Sequence, residues 1–327
     1  MRQIGILTSG GDASGMNAAI RAVVRAAASV GIRSWGIRNG FDGLMRGDFQ
    51  RLGPRSVAHI LQRGGTILGT TRAPAIETEE GRARAAEQVA ATNLDGLVII
   101  GGEGTLRAGQ MLYEEHGCRI AAIPATIDND IAATDTCIGF DTAVNAAVEA
   151  MDRIRDTAES SGRVFFVEVM GRTRGLIALY AGLSGGADAI VIPEEHEDMG
   201  HLCRRLISAH RGGKRSLLVV VAEGDRAGGA FSVAEQVQQR LNGRLQVDYR
   251  VTVLGHLQRG GVPTAADRIL GTVLGAAAVE CLNDGLDHHM VSEVGNTPVF
   301  TPINEVLAVT KELPADLMHL LHTVGQA

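Results

Sequence analysis

Short apolar or β-branched runs alternate with longer stretches of helical period from one end of the chain to the other. The runs lie at 3–8, 33–37, 96–100, 119–123, 164–169, 188–192, 216–221 and 246–253. Between them, 16–28, 105–116, 142–157, 202–210 and 265–282 carry Ala, Leu, Val and Ile at helical spacing. Strand and helix in alternation predict βαβ units and an α/β fold with mostly parallel sheets. No internal repeat of about 20–50 residues is visible, and no low-complexity linker separates two halves. A clean linear boundary between domains is therefore not expected.

Composition narrows the class. At about 150 residues per domain, 327 residues make two domains or one large two-lobed unit. With 45% hydrophobic and 21% charged residues the chain can bury a sizeable core, which excludes disorder over most of its length. A net charge of -6 argues against a nucleic-acid partner, although clustered Arg can still grip a small phosphorylated ligand. The 42 glycines, set against 8 prolines and no three-residue period, indicate tight strand-to-helix turns rather than collagen or linker. Cys118, Cys137, Cys203 and Cys281 form no C-x-x-C pair and read as small buried residues. His196, His201 and Cys203 form an H-x₄-H-x-C cluster whose spacing fits no standard zinc set. His288-His289, His319 and His322 read as surface or packing residues. The apolar stretch 4–7 is too short for a signal-peptide core and no membrane-length apolar run follows, so a cytoplasmic protein is expected.

The chemistry is expected in glycine-rich loops at strand ends, where an open parallel sheet binds its ligands. Thr8 to Asn17 (TSGGDASGMN) joins the first strand to a helix, and its glycines let backbone N–H groups approach a phosphate. It is neither a P-loop nor a dinucleotide fingerprint, and by itself it also fits an ordinary βα turn. Gly101-Gly102-Glu103-Gly104-Thr105 repeats the arrangement and adds a carboxylate suited to a phosphate-bound Mg²⁺, or simply to the positive end of the next helix. Thr126-Ile127-Asp128-Asn129-Asp130 places two carboxylates at a third strand end, where one can accept a proton while the other holds a metal, or where both cap a turn. Arg63-Gly64-Gly65-Thr66 with Arg72, Met170-Gly171-Arg172 and Gly255-His256-Leu257-Gln258-Arg259-Gly260-Gly261 set guanidinium groups among glycines, which points to a polyanionic small ligand.

Taken in order, these motifs together with Ala222-Glu223-Gly224 resemble the ATP-dependent 6-phosphofructokinases of bacterial type over nearly the whole chain. The resemblance implies two Rossmann-like lobes with discontinuous boundaries, a larger ATP-binding lobe at 1–139 plus 256–306 and a smaller sugar-phosphate lobe at 140–255 plus 307–327. It implies transfer of the ATP γ-phosphoryl group to the 1-hydroxyl of fructose 6-phosphate in glycolysis. Asp128 matches the family's general base, Thr126, Arg172 and Asp130 its other catalytic positions. Gly11, Arg72, Ala73, Gly102, Gly104 and Thr105 match its ATP contacts, and Glu103 its Mg²⁺ ligand. Sugar-phosphate binding maps to Arg163, Met170, Gly171, Glu223, Arg250, His256 and Arg259. The residues matching Arg163 and Arg250 come from a neighbouring subunit in the family, which implies a homotetramer with shared active sites.

The chain departs from the family pattern at several positions. Glu103 stands where Asp is usual, and the small Gly104 and Ala125 occupy positions where pyrophosphate-using relatives carry Asp and Lys, which favours ATP as donor. A pyrophosphate-dependent phosphofructokinase and a non-catalytic nucleotide-sensing relative are the alternatives. Arg21, Arg25, Arg155, Asp188 and Lys214 match the positions that bind ADP or phosphoenolpyruvate as effectors, while Pro54 stands where an Arg is expected and Arg55 adjoins it. The residues around Asn242-Gly243-Arg244 look like an insertion against that pattern.

Overall fold

The structure, a computed structural model, describes residues 1–195, 197–244 and 248–324. From the amino end the chain forms β1 (Gln3–Ser9), α1 (Met16–Ser29), β2 (Arg33–Ile37), α2 (Gly40–Arg46), β3 (Phe49–Leu52), α3 (Glu79–Ala91), β4 (Gly96–Gly101), α4 (Glu103–His116), β5 (Ile120–Pro124) and α5 (Phe140–Ser161). There follow β6 (Val164–Val169), α6 (Leu176–Ser184), β7 (Ala189–Val191), α7 (Met199–Arg211), β8 (Leu217–Ala222), α8 (Gly229–Leu241) and β9 (Tyr249–Val253). The last elements are α9 (Ala265–Asn283), β10 (His289–Val294), β11 (Thr297–Pro302), α10 (Ile303–Leu307) and α11 (Ala315–Val324). They gather into two compact units, Met1–Thr142 with Arg259–Lys311, and Ala143–Gln258 with Glu312–Ala327. The breaks thus come after residues 142, 258 and 311, against the 139, 255 and 306 read from sequence.

In the first unit seven strands run in the order β11-β10-β5-β4-β1-β2-β3. The strands β2, β1, β4, β5 and β10 are parallel, and β3 and β11 are antiparallel edges. The central strands are apolar and buried along their whole length, as a sheet covered on both faces requires. Helices α1 and α9 cover one face, and α2, α3, α4 and α10 the other. The α1–α9 contact is a small-residue crossing: a Cβ on Gly275 would lie 2.6 Å from the Ala19 carbonyl oxygen, so only glycine allows the approach. Because β1 leads to β2 on one side and β4 leads to β5 on the other, the order switches between β1 and β4, and a crevice opens at their carboxyl ends.

The second unit is a four-stranded parallel sheet in the order β7-β8-β6-β9. Its core packs α7 and α8 against β6 and β8 around Phe166, Leu202, Val219 and Val233. The strands β3, β10 and β11, and the helices α2, α3, α6, α8, α10 and α11, are absent from the expected pattern. The edge strands are short or interrupted by Pro298 and Pro302, residues that cannot donate to a ladder and are tolerated only at a sheet margin. The amino end of the last strand expected in this unit, 246–253, and His196 of the candidate zinc cluster fall on residues outside those described. Among the described residues no group of three or more His, Cys, Asp or Glu is arranged to hold a metal, and no helix is long and apolar enough to cross a membrane. The four cysteines are free and buried, as expected.

Asp267 ties the first unit together. Lying in the first turn of α9 and wholly buried, its carboxylate accepts the N–H of Gly139 at 2.7 Å, the N–H of Thr142 at 2.8 Å and the Thr142 hydroxyl. Burial pushes the carboxyl above its ordinary range and the donors from Thr142 and Gly139 pull it back, so the residue holds the loop after β5 and the first turn of α5 against α9. Asp267→Ala leaves these buried donors without acceptors and should lower the unfolding free energy by about 3 kcal/mol, read by denaturant titration. His288, expected as a surface or packing residue, is buried and stacks on Tyr113 with ring centroids 4.5 Å apart and planes 5° from parallel. Burial pushes its imidazole below the ordinary value and Nε2 has no hydrogen-bond partner. A depressed value means the unfolded chain takes up the proton first, so stability falls as pH drops below about 6.5. Thermal midpoints measured between pH 7.5 and 5.5 should fall less in His288→Phe than in the parent chain.

Candidate active site

The carboxyl ends of β1, β4 and β5 bring three of the expected loops together. Gly15 enters α1 with φ 117°, a left-handed backbone that suits glycine, and the Met16 amide closes the turn on the Ala13 carbonyl at 3.2 Å. Thr105 donates its hydroxyl to the Ser9 carbonyl at 3.2 Å, joining the loop after β4 to that after β1. The amide of Ala125 donates to the Gly101 carbonyl at 2.9 Å, which joins the loop after β5. A fourth segment, 62–71, is fastened alongside: Asn17 donates to the Arg63 carbonyl at 3.0 Å and accepts the Ile67 amide at 2.8 Å, and Thr70 donates to the Gly10 carbonyl at 2.7 Å. Ala73 is buried where this segment enters the 3₁₀ turn Pro74–Glu77, and Arg72 beside it is exposed. Arg259 donates to the Asp12 carbonyl at 2.9 Å and its guanidinium occupies the space a Cβ on Gly11 would need, so Gly11 and Arg259 are neighbours.

Within the third loop, Asp128 is 2% exposed and its amide donates to the Thr126 hydroxyl at 3.2 Å. Asn129, between the two carboxylates, has φ 50° and is held by its side chain: Oδ1 accepts the Cys137 amide and the Lys311 ammonium, each at 2.9 Å, and Nδ2 donates to the Asp135 carbonyl at 3.3 Å. Burial pushes the Cys137 thiol up to about 12, with Lys311 acting against the rise and Asp130 and Asp128 adding to it. The thiol thus lies within electrostatic reach of both carboxylates and the ammonium.

Glu103 opens α4, half-exposed, and is paired through Oε1 to Arg107 one turn on, its Nη2 at 2.5 Å. A single carboxylate beside glycine loops suits a cation that arrives on phosphates and keeps most of its other oxygen ligands from them and from water, which is the habit of Mg²⁺. A Cβ at Gly104 would meet nothing within 4 Å, leaving open space over the start of α4.

In the second unit Met170, Gly171 and Arg172 follow β6, and Glu223 follows the adjacent β8. Arg172 adopts φ 53°, and its amide donates to Glu223 Oε1 at 2.8 Å. The far end of the same loop is held by Glu194, both of whose carboxylate oxygens lie 3.0 Å from the Gly175 amide. His256 is exposed in the 3₁₀ turn Gly255–Gln258 that follows β9. Arg163 and Arg250 are elsewhere: Arg163 precedes β6, Arg250 lies beside Phe165 at the start of β9, and both pair with Asp248, at 3.5 and 3.3 Å. Six residues of β6 separate Arg163 from Arg172, about 20 Å along the strand. The chain does not bring them to its own 170–172 loop.

The candidate effector residues of this unit also lie away from that loop. Asp188 and Lys214 precede β7 and β8 and form a 2.9 Å ion pair, and Arg155 donates to the carbonyls of Gly185 and Gly186. Arg21 and Arg25 are on α1 in the other unit. Lys311, Asp267 and Glu194 were not singled out from sequence. Asp267 had a detectable signal in the T-x-x-D pattern of Thr264 to Asp267. For Lys311 the signal is scarcity, since Lys214 and Lys311 are the only lysines in the chain.

The sequence model described as phosphofructokinase matches residues 3–282. ATP-dependent 6-phosphofructokinase 1 of Thermus thermophilus is 53% identical over 320 residues, 98% of each chain, and the ATP-dependent 6-phosphofructokinase of Thermotoga neapolitana is 48% identical over 325 residues, 99% of this chain and 100% of the relative. Among solved structures, Pichia pastoris phosphofructokinase superposes with a TM-score of 0.87 at 34% identity, covering 99% of this chain and 36% of that longer one. The pyrophosphate-dependent enzyme of Marinobacter aquaeolei superposes at 0.85 with 24% identity, covering 100% of this chain and 92% of that one, and shares the fold. With glycine loops at the switch point of the first sheet, an arginine loop in the second, and relatives matching at about half of all positions along nearly the full length, this chain belongs to the phosphofructokinase family.

Proposed function

We propose that the chain transfers the γ-phosphoryl group of MgATP to the 1-hydroxyl of fructose 6-phosphate, giving fructose 1,6-bisphosphate and ADP; its similar relatives are named ATP-dependent 6-phosphofructokinase. The observation that carries this reading is the clustering of two glycine-rich loops with the loop of the buried Asp128 at the carboxyl ends of β1, β4 and β5. The first unit is the nucleotide lobe, in which Gly11, Arg72, Ala73, Gly102, Gly104 and Thr105 receive ATP. The second is the sugar-phosphate lobe, in which Met170, Gly171, Glu223 and His256 receive the acceptor.

Asp128 accepts the proton of the 1-hydroxyl as that oxygen bonds to the γ-phosphorus. The bond from phosphorus to the bridging oxygen breaks, and its electron pair leaves with ADP. Thr126 and Arg172 steady the transferring group, whose charge spreads over its outer oxygens. Mg²⁺ would neutralise phosphate charge when bound, and Glu103 is the carboxylate that would hold it. Open space at Gly104 and the small buried Ala125 favour the larger donor, ATP, over pyrophosphate.

The position of Arg163 and Arg250, at the amino starts of β6 and β9 away from Arg172, supports their serving the site of a neighbouring copy in a homotetramer. Arg155, Asp188 and Lys214, with Arg21 and Arg25, are the residues for an ADP or phosphoenolpyruvate effector, and the cytoplasm is the compartment.

Product formation from fructose 6-phosphate and Mg²⁺ should proceed with ATP and not with pyrophosphate at matched concentration, and turnover with pyrophosphate alone would reverse the donor assignment. Asp128→Ser should lower kcat about 10³-fold with ATP affinity kept within about twofold, because the base is lost and the phosphate contacts remain. Near-normal kcat in this variant would remove Asp128 from the role.

A further inference from the structure

We propose that Lys311 is a positioning residue for the carboxylate loop: by clamping Asn129 and Asp135 it holds Asp128 and Asp130 where the phosphoryl transfer needs them. This rests on the function proposed above. Asn129 is 1% exposed and left-handed at φ 50°, a conformation that non-glycine residues keep only when their surroundings over-determine it. Its surroundings here are few and specific. The carbonyl oxygen of its side chain takes the Cys137 amide and the Lys311 ammonium, and its amide nitrogen reaches the Asp135 carbonyl. Lys311 donates in addition to that same Asp135 carbonyl at 3.0 Å. One ammonium therefore grips both ends of the turn 129–135, from a point 182 residues further along the chain.

Residue choice supports the reading. The chain carries 31 basic residues of Lys and Arg, and all but Lys214 and Lys311 are arginine. A compact ammonium with rotatable donors can serve two oxygens close together, where a planar guanidinium fork demands a wider, flatter partner. A cation is also the charge that suits a loop bearing two carboxylates, since opposite charges attract.

The test uses the full chain with Lys311→Met, Lys311→Gln and Lys311→Arg. Fructose 1,6-bisphosphate formation with MgATP should show kcat lowered tenfold to about a hundredfold in the Met and Gln variants, the loss expected when a reacting group is misplaced by about an ångström. The KM values for MgATP and fructose 6-phosphate should stay within about twofold, and Arg should restore part of the loss. Hydrogen exchange of 129–138, read by mass spectrometry, should quicken in Lys311→Met. An unchanged kcat, a rise in both KM values that accounts for the loss, or unchanged exchange in 129–138 would overturn the proposal. If the parent chain turns over with neither ATP nor pyrophosphate, the function reading fails, and exchange alone decides the clamp by the same criterion.

Discussion

Parallel register is the constraint on which the rest of this molecule depends. In a parallel sheet every strand ends at the same margin, so whatever follows β1, β4 and β5 must meet there, and helix N-termini with their free N–H groups arrive with it. That margin gathers positive dipole ends and glycine backbone, with the Arg259 guanidinium beside Gly11, which is how an acidic protein can face phosphates. The same rule works in the opposite direction in the second sheet. It sends Arg163 and Arg250 to the amino margin, away from Arg172 at the carboxyl margin, so the two sets of guanidinium groups cannot serve one place in one chain.

Side chains are then used chiefly to hold loops, and fewer are left to face solvent than their charges imply. Glu223, matched to sugar binding, accepts the Arg172 amide, and Thr105, matched to ATP, donates to Ser9 across two strand ends. Neither bond excludes contact with a ligand, because a carboxylate has a second oxygen and a hydroxyl has lone pairs to spare. Arg259 shows the same economy: its guanidinium braces the loop at Asp12 and fills the space beside Gly11. Removing any of these residues would therefore disturb backbone position as well as charge.

Much of this was legible in the amino-acid sequence, and the reasons for the rest are physical. Buried parallel strands are apolar throughout and announce themselves, whereas β3, β10 and β11 lie at or next to a margin where polar and proline residues are permitted, so their pattern is weak. Loops rich in glycine and charge could be read because their residues are adjacent in sequence. Contacts between distant residues could not: nothing near Asp267 names Gly139 or Thr142 as its partners, and nothing near Lys311 names Asn129. His288 was read as surface or packing, and its stacking on Tyr113 became visible only when β10 was seen beside β5.

The discontinuity of the first unit also sets an order of events during synthesis. Residues 143–258 leave the ribosome before Asp267, α9 and β10 exist, so the loop after β5 must wait for its buried carboxylate through more than a hundred residues of intervening chain. Pairings so distant along the chain close slowly, since the loop entropy must be lost before any contact repays it. The carboxyl margin of the first sheet is consequently among the last parts of the protein to become rigid, and until α9 arrives the small-residue face of α1 stands uncovered, which is the surface a chaperone would meet on the nascent chain.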